Sequence, residues 1–205
     1  MLAVYTGLCS LCSRPSSTLG SNLQALLDAS GTPRLPNAQV TFVLSSRSNA
    51  YGLTRAQNQS IPTSVCALKT YLNRHPGATR EDYDAEVARL VVESKPDLVV
   101  LAGWMHILSD RFLDIVNVPC INLHPALPGA FDGAQAIERA YEAFKRGDIH
   151  HTGVMVHRVI KEVDRGEPLV VRQVDIGPGD SLEDLETRIH KVEHEIIVEA
   201  ARLLT

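Results

Sequence analysis

The run Leu98-Val99-Val100-Leu101 carries no polar side chain. Successive side chains of a strand point to opposite faces, so a run apolar on both faces must be buried on both sides. That is the condition of a central strand in a parallel sheet covered by helices. A helical pattern precedes it, which Thr79 and Asp82 would open as a capping box and Pro96 would close. The same alternation recurs along the chain. Strands are predicted over 2–5, 39–44, 98–101, 120–123, 154–159 and 169–174, and helices over 21–30, 51–59, 79–94, 109–115, 134–146 and 181–204. In the last helix Ser181 and Asp184 form a second capping pair, and Gly31 and Gly147 stand where helices should stop. Strands alternating with helices predict an α/β fold, an open and mostly parallel twisted sheet flanked by helices. With 205 residues and no internal repeat or linker, one domain is expected.

Composition narrows the function classes. Hydrophobic residues are 44% and charged residues 21% of the chain, which disfavours disorder. The net charge of −4 argues against a general nucleic-acid binder, which needs a basic surface. No apolar run approaches the roughly 20 residues of a membrane span. Met1 to Gly7 lacks a basic stretch followed by an apolar one, so a secretory signal is not expected and the cytoplasm is the default compartment. Four cysteines are too few for a disulfide scaffold, and the Cys9–Cys12 pair lacks the further ligands that a zinc site needs.

Ligands of an open parallel sheet bind beyond the carboxyl ends of its strands. Three candidates fall there. Gly20-Ser21-Asn22 opens a helix, where backbone N–H groups suit a phosphate, although Ser21 or Asn22 as a simple N-cap fits equally well. GxGxxG is absent. Asn122 and His124 share one side of a strand end, an amide donor beside an imidazole, which is equipment for polarising a carbonyl and moving a proton. The alternative is a polar pair bonded to nearby loops. Asp164 could favour a charged imidazole, or could serve only as a turn residue before Arg165-Gly166. His190 and His194 are four apart on the last helix, but without HExxH no metal is expected.

Four segments in order are similar to one family: Gly20-Ser21-Asn22-Leu23-Gln24-Ala25, Leu101 to Ser109, Asn122-Leu123-His124-Pro125-Ala126-Leu127, and Glu162-Val163-Asp164-Arg165-Gly166. The chain resembles the phosphoribosylglycinamide formyltransferases, folate-dependent enzymes of purine synthesis, and looks closest to fungal single-domain forms. The resemblance implies a formyltransferase fold with a Rossmann-like N-terminal half, a phosphate-binding half over about 1–100 and a folate-binding and catalytic half over about 101–205. It implies transfer of a formyl group from 10-formyltetrahydrofolate, a co-substrate, to the amine of glycinamide ribonucleotide, with small-molecule partners and no metal, nucleic acid or membrane. Asn122, His124 and Asp164 would be catalytic. Gly20, Ser21, Asn22, His190 and Glu193 would hold the nucleotide substrate. Arg80, Met105, His106, Ile107, Leu108, Asn122, and Ile160, Lys161, Glu162, Val163 and Asp164 would hold the folate.

The chain departs from the family pattern at three places. The usual glycine-rich turn after the first strand is replaced by Cys9 to Leu19, His106 stands where many members carry arginine, and Leu127 to Gly133 differs from the common bacterial loop. Related enzymes share the Asn–His–Asp set. Methionyl-tRNA formyltransferase adds a C-terminal nucleic-acid domain, and formyltetrahydrofolate hydrolase an N-terminal regulatory one. A chain of 205 residues therefore favours the purine enzyme. The alternatives are another 10-formyltetrahydrofolate enzyme, or a catalytically impaired paralogue that only binds.

Overall fold

A computed structural model describes residues 1–6, 20–104 and 106–205, with the side chains of Ala3, Tyr5 and Thr6 left aside. The Cys9–Cys12 pair, the departure over Cys9 to Leu19 and Met105, expected on the folate side, lie outside the described residues. The elements run β1 (Leu2–Thr6), α1 (Ser21–Ala29), β2 (Val40–Ser45), α2 (Tyr51–Asn58), β3 (Thr63–Val65), α3 (Leu68–Arg74), α4 (Arg80–Val92), β4 (Leu98–Ala102), α5 (Asp110–Val116), β5 (Cys120–His124), α6 (Ala136–Arg146), β6 (His151–Arg158), β7 (Pro168–Asp175) and α7 (Leu182–Leu203).

One sheet of seven strands has the order β3-β2-β1-β4-β5-β6-β7. Pairing is parallel from β3 to β5 and antiparallel at β5–β6 and β6–β7. The chain winds outward from β1 to β3, then returns to β4 and winds the other way. The topological switch therefore lies between β1 and β4, and a crevice opens at their carboxyl ends.

The apolar run in β4 shows why this sheet must be covered on both faces. Leu98, Val100 and Ala102 join the core packed under α1, α2, α6 and α7. Val99 and Leu101 face the other core, with Tyr83, Val87 and Val91 of α4 and Phe112 of α5. Every β4 residue is buried. At about 1.5–3 kcal/mol for each fully buried large aliphatic side chain, this strand anchors both layers.

Both capping boxes form. Asp82 N–H donates to Thr79 Oγ1 while Thr79 N–H donates to Asp82, and Ser181 and Asp184 do the same for α7. Gly147 closes α6 in the left-handed region. At α1 the N-cap is neither Ser21 nor Asn22 but Gly20, left-handed at φ 71° with no side-chain cap. A side chain on Gly20 would come within 3.2 Å of the Gly52 Cα, so α1 and α2 start in backbone contact. The strand β3 and the helix α3 were not predicted. β3 has only three residues, and the N-cap of α3 is Ala67, which offers no capping side chain.

Candidate active site

The parallel strand β5 ends at His124, and alternation puts Asn122 and His124 on one side of its tip. The antiparallel strand β6 brings His157 directly opposite Asn122. A loop after β6 then turns back with Asp164 in the left-handed region at φ 55°, a backbone state that costs on the order of 1–3 kcal/mol. Asp164 lies between the others. Asn122 Nδ2 donates to Asp164 Oδ1 at 3.3 Å and lies 3.2 Å from His157 Nε2. His124 Nδ1 is 3.4 Å from Asp164 Oδ2, and His157 Nε2 is 3.4 Å from Oδ1. Gly133 N–H donates to Oδ2 at 2.8 Å. A carboxylate can only accept, so the amide of Asn122 must turn its nitrogen toward Asp164.

His124 is 3% exposed and Asp164 9%, so this is a desolvated cluster in which charge interactions are strong. Burial by itself pushes the Asp164 carboxyl up. The hydrogen bonds from His157 and Gly133, with the charges of His124 and His157, outweigh it and hold the group below the ordinary carboxylate range. A depressed folded-state pKa contributes stability that is fully present above the unfolded value, about 3.9, and is lost as pH falls through the folded value. The urea midpoint of the unsubstituted chain should therefore fall more steeply below about pH 5 than that of Asp164→Asn. Parallel acid limbs would show that the carboxyl is not held low.

The other nitrogen of His124, Nε2, lies 3.3 Å from the carbonyl of Ala130. Ala130 belongs to the loop between β5 and α6, where Phe131 and Gln135 also adopt left-handed backbone at φ 52° and 57°. Arg139 of α6 braces that loop by donating to the Phe131 carbonyl and, at 2.7 Å, to the Asp132 carbonyl. Asp132 pairs with Arg165 at 2.5 Å, which ties the loop to the turn that carries Asp164. Left-handed backbone at Asp164 and in the loop that donates the Gly133 N–H to it marks a preorganised centre.

A second cluster forms where α1 meets α7. Asn22 Nδ2 donates to Glu193 Oε2 at 3.0 Å across 171 residues of sequence. Glu193 is 5% exposed, and Asn22 Oδ1 is buried with no hydrogen-bond partner among the described residues. Gly20 and Ser21 sit at the N-terminus of α1, and His190 lies one turn before Glu193 on α7.

Most of the residues expected on the folate side fall in two neighbouring segments, 106–108 and 160–164, with Arg80 on α4 and Asn122 on β5. Lys161 Nζ meets Asp110 Oδ2 at 2.7 Å, which holds the 160–164 loop beside the end of the 103–109 connection. Ile107 is 65%, Ile160 41% and Val163 40% exposed, apolar surface suited to a flat ring system. Leu108 is buried in the core, and Glu162 is exposed. His106 stacks edge-on to Trp104 at 5.4 Å, and burial, followed by the Arg80 charge, pulls its pKa down. Arg80 is engaged with Asp84 and with the carbonyl of Ile107.

His157 escaped the sequence reading. It sits in the run Val154-Met155-Val156-His157-Arg158-Val159, and an imidazole in an apolar strand was the available signal. Its place opposite Asn122 depends on antiparallel pairing, which local pattern does not reveal. Its Nδ1 lies 2.8 Å from the Arg158 carbonyl, which can only accept and so fixes a hydrogen on that nitrogen.

Comparison with known proteins places the chain. The formyl transferase family profile matches residues 16–201. Phosphoribosylglycinamide formyltransferase of Schizosaccharomyces pombe is 52% identical over 186 residues, covering 88% of this chain and 90% of that protein. The Saccharomyces cerevisiae enzyme of the same name is 47% identical over 196 residues, with coverage of 88% and 90%. The crystal structure of glycinamide ribonucleotide transformylase 1 from Geobacillus kaustophilus superposes with a TM-score of 0.82 at 32% identity, over 99% of this chain and 97% of that one. The chain belongs to the formyl transferase family, among its phosphoribosylglycinamide formyltransferases.

Proposed function

We propose that this site moves a formyl group from 10-formyltetrahydrofolate to the primary amine of glycinamide ribonucleotide, in the cytoplasmic route to purines. The observation that carries the reading is the meeting of Asn122, His124 and Asp164 within 3.4 Å at the tip of β5. The fungal relatives, named for this activity, support it. No helix is long and apolar enough to cross a membrane among the described residues.

The division of labour follows the sheet. The half over about 1–100 supplies Gly20, Ser21 and Asn22 for the phosphate, and α7 adds His190 and Glu193 for the remainder of the nucleotide. The half over about 101–205 supplies the folate slot from Met105 to Leu108 and Ile160 to Asp164. The amine nitrogen attacks the formyl carbon, the bond to the folate nitrogen breaks, and the attacking amine loses the proton that the departing nitrogen gains. Asn122 Nδ2 and the His124 ring donate to the oxyanion that develops on the formyl oxygen. His124 carries the proton, and Asp164 orients its ring through Nδ1. Attack is direct, so no covalent enzyme intermediate is needed, and with Asn122 and His124 as donors to the oxyanion the step requires no metal.

A spectrophotometric assay of 10-formyltetrahydrofolate separates this reading from hydrolysis. Co-substrate consumption that requires glycinamide ribonucleotide is the expected outcome. Consumption at the same rate without the nucleotide would assign a hydrolase, and binding without turnover would assign an impaired paralogue.

A further inference from the structure

The helix α4 buries a stripe made of Tyr83, Val87, Ala88 and Val91, and one position of that stripe is a carboxylate. Asp84 is 1% exposed. Burying a charge there costs free energy that packing alone would not require, since an apolar residue would fill the stripe. The partners of Asp84 show what the charge does. Its Oδ1 accepts from Arg80 Nε at 2.9 Å, and its Oδ2 accepts from the backbone N–H of Ser109 at 3.0 Å. Arg80 Nη2 in turn donates to the carbonyl of Ile107 at 2.6 Å. Residues 103–109 join β4 to α5 and, where described, have no regular structure of their own. Their backbone therefore lacks a ladder to hold it. Asp84 and Arg80 take its place by gripping a donor and an acceptor two residues apart. With its carbonyl gripped, Ile107 keeps its side chain 65% exposed, while Leu108 beside it is buried.

We propose that Asp84 is a positioning residue for the folate side of the site: through Ser109 and Arg80 it fixes the wall over Ile107 to Ser109. The proposal rests on the reading of that wall as folate-binding. Asp84 touches no substrate, and Arg80 acts through the Ile107 carbonyl.

Trp104 is the single tryptophan of the chain, opens the same β4–α5 connection and is buried in the same core as Tyr83 of α4, so its emission reports a loosening there. In Asp84→Ala the KM for 10-formyltetrahydrofolate should rise about 10-fold or more, the equivalent of one lost charge-assisted hydrogen bond. The KM for glycinamide ribonucleotide should stay within about twofold, and Trp104 emission should shift to the red. A loss of folded protein alone would lower the apparent kcat and leave both KM values in place, so the split between the two substrates reads positioning rather than stability. Asp84→Asn, which keeps the shape and one acceptor, should move both readouts the same way by less, and it serves if the alanine variant fails to fold. Unchanged emission with unchanged KM values overturns the positioning role. Shifted emission with an unchanged folate KM would leave the grip standing but remove the segment from the folate site, which overturns the reading beneath it.

Discussion

His124→Ala is expected to lower kcat by about 10²–10³-fold while the circular dichroism spectrum stays that of the folded chain. The ring is 3% exposed at the carboxyl end of β5, so its removal leaves a small polar hollow at a strand tip and spares both cores. What disappears is the donor that stabilises the developing oxyanion and the group that carries the amine proton. Both act in the transition state, so kcat and kcat/KM should fall together with little change in KM for either substrate. Asn122 and the intact cradle of Asp164 keep a residual rate above the uncatalysed one. A variant with near-normal kcat would remove His124 from the chemistry, and the proton route would have to be rebuilt around His157.

Gly166→Ala is the second large effect, and it acts on fold and turnover at once. A Cβ at Gly166 would stand 1.7 Å from the carbonyl oxygen of Arg158 and 3.4 Å from His157 Nδ1. The first of these atoms is backbone, so no rotamer change relieves the clash. The turn between β6 and β7 must move, and Asp164 sits two residues before it in left-handed backbone. Overpacking at a site that cannot yield costs about 1–3 kcal/mol and occasionally more. Displacing Asp164 by even about 1 Å from Asn122 and His124 can cost on the order of 10² in rate. Thermal unfolding and kcat should therefore drop in the same variant. An alanine variant with unchanged melting and turnover would show that the β6–β7 turn does not hold the carboxylate.

Much of the architecture was legible because it is written in local chemistry. The unbroken apolar run of β4 required a sheet covered on both faces, and the two capping boxes marked α4 and α7. The family resemblance gathered Asn122, His124 and Asp164, and also Asn22 and Glu193, from distant stretches. Spacing alone left each of them between a ligand role and a structural one. The elements that went unread, β3 and α3, are short and carry no cap or period of their own. The groups that went unread, His157, Asp84 and the Gly133 N–H, owe their roles to partners on other elements. A histidine in an apolar strand and an aspartate on an apolar helix stripe were visible as exceptions to pattern. Their meaning appeared only when antiparallel pairing and the packing of α4 against the β4–α5 connection supplied the neighbours.

One measurement addresses the central claim most directly: a crystal structure of the chain with glycinamide ribonucleotide and a folate analogue that cannot transfer its acyl group. The account predicts the acyl carbonyl within about 3 Å of Asn122 Nδ2 and of the His124 ring, with the phosphate at Gly20 to Asn22. An acyl group bound elsewhere, with Asn122, His124 and Asp164 facing no ligand, would contradict it.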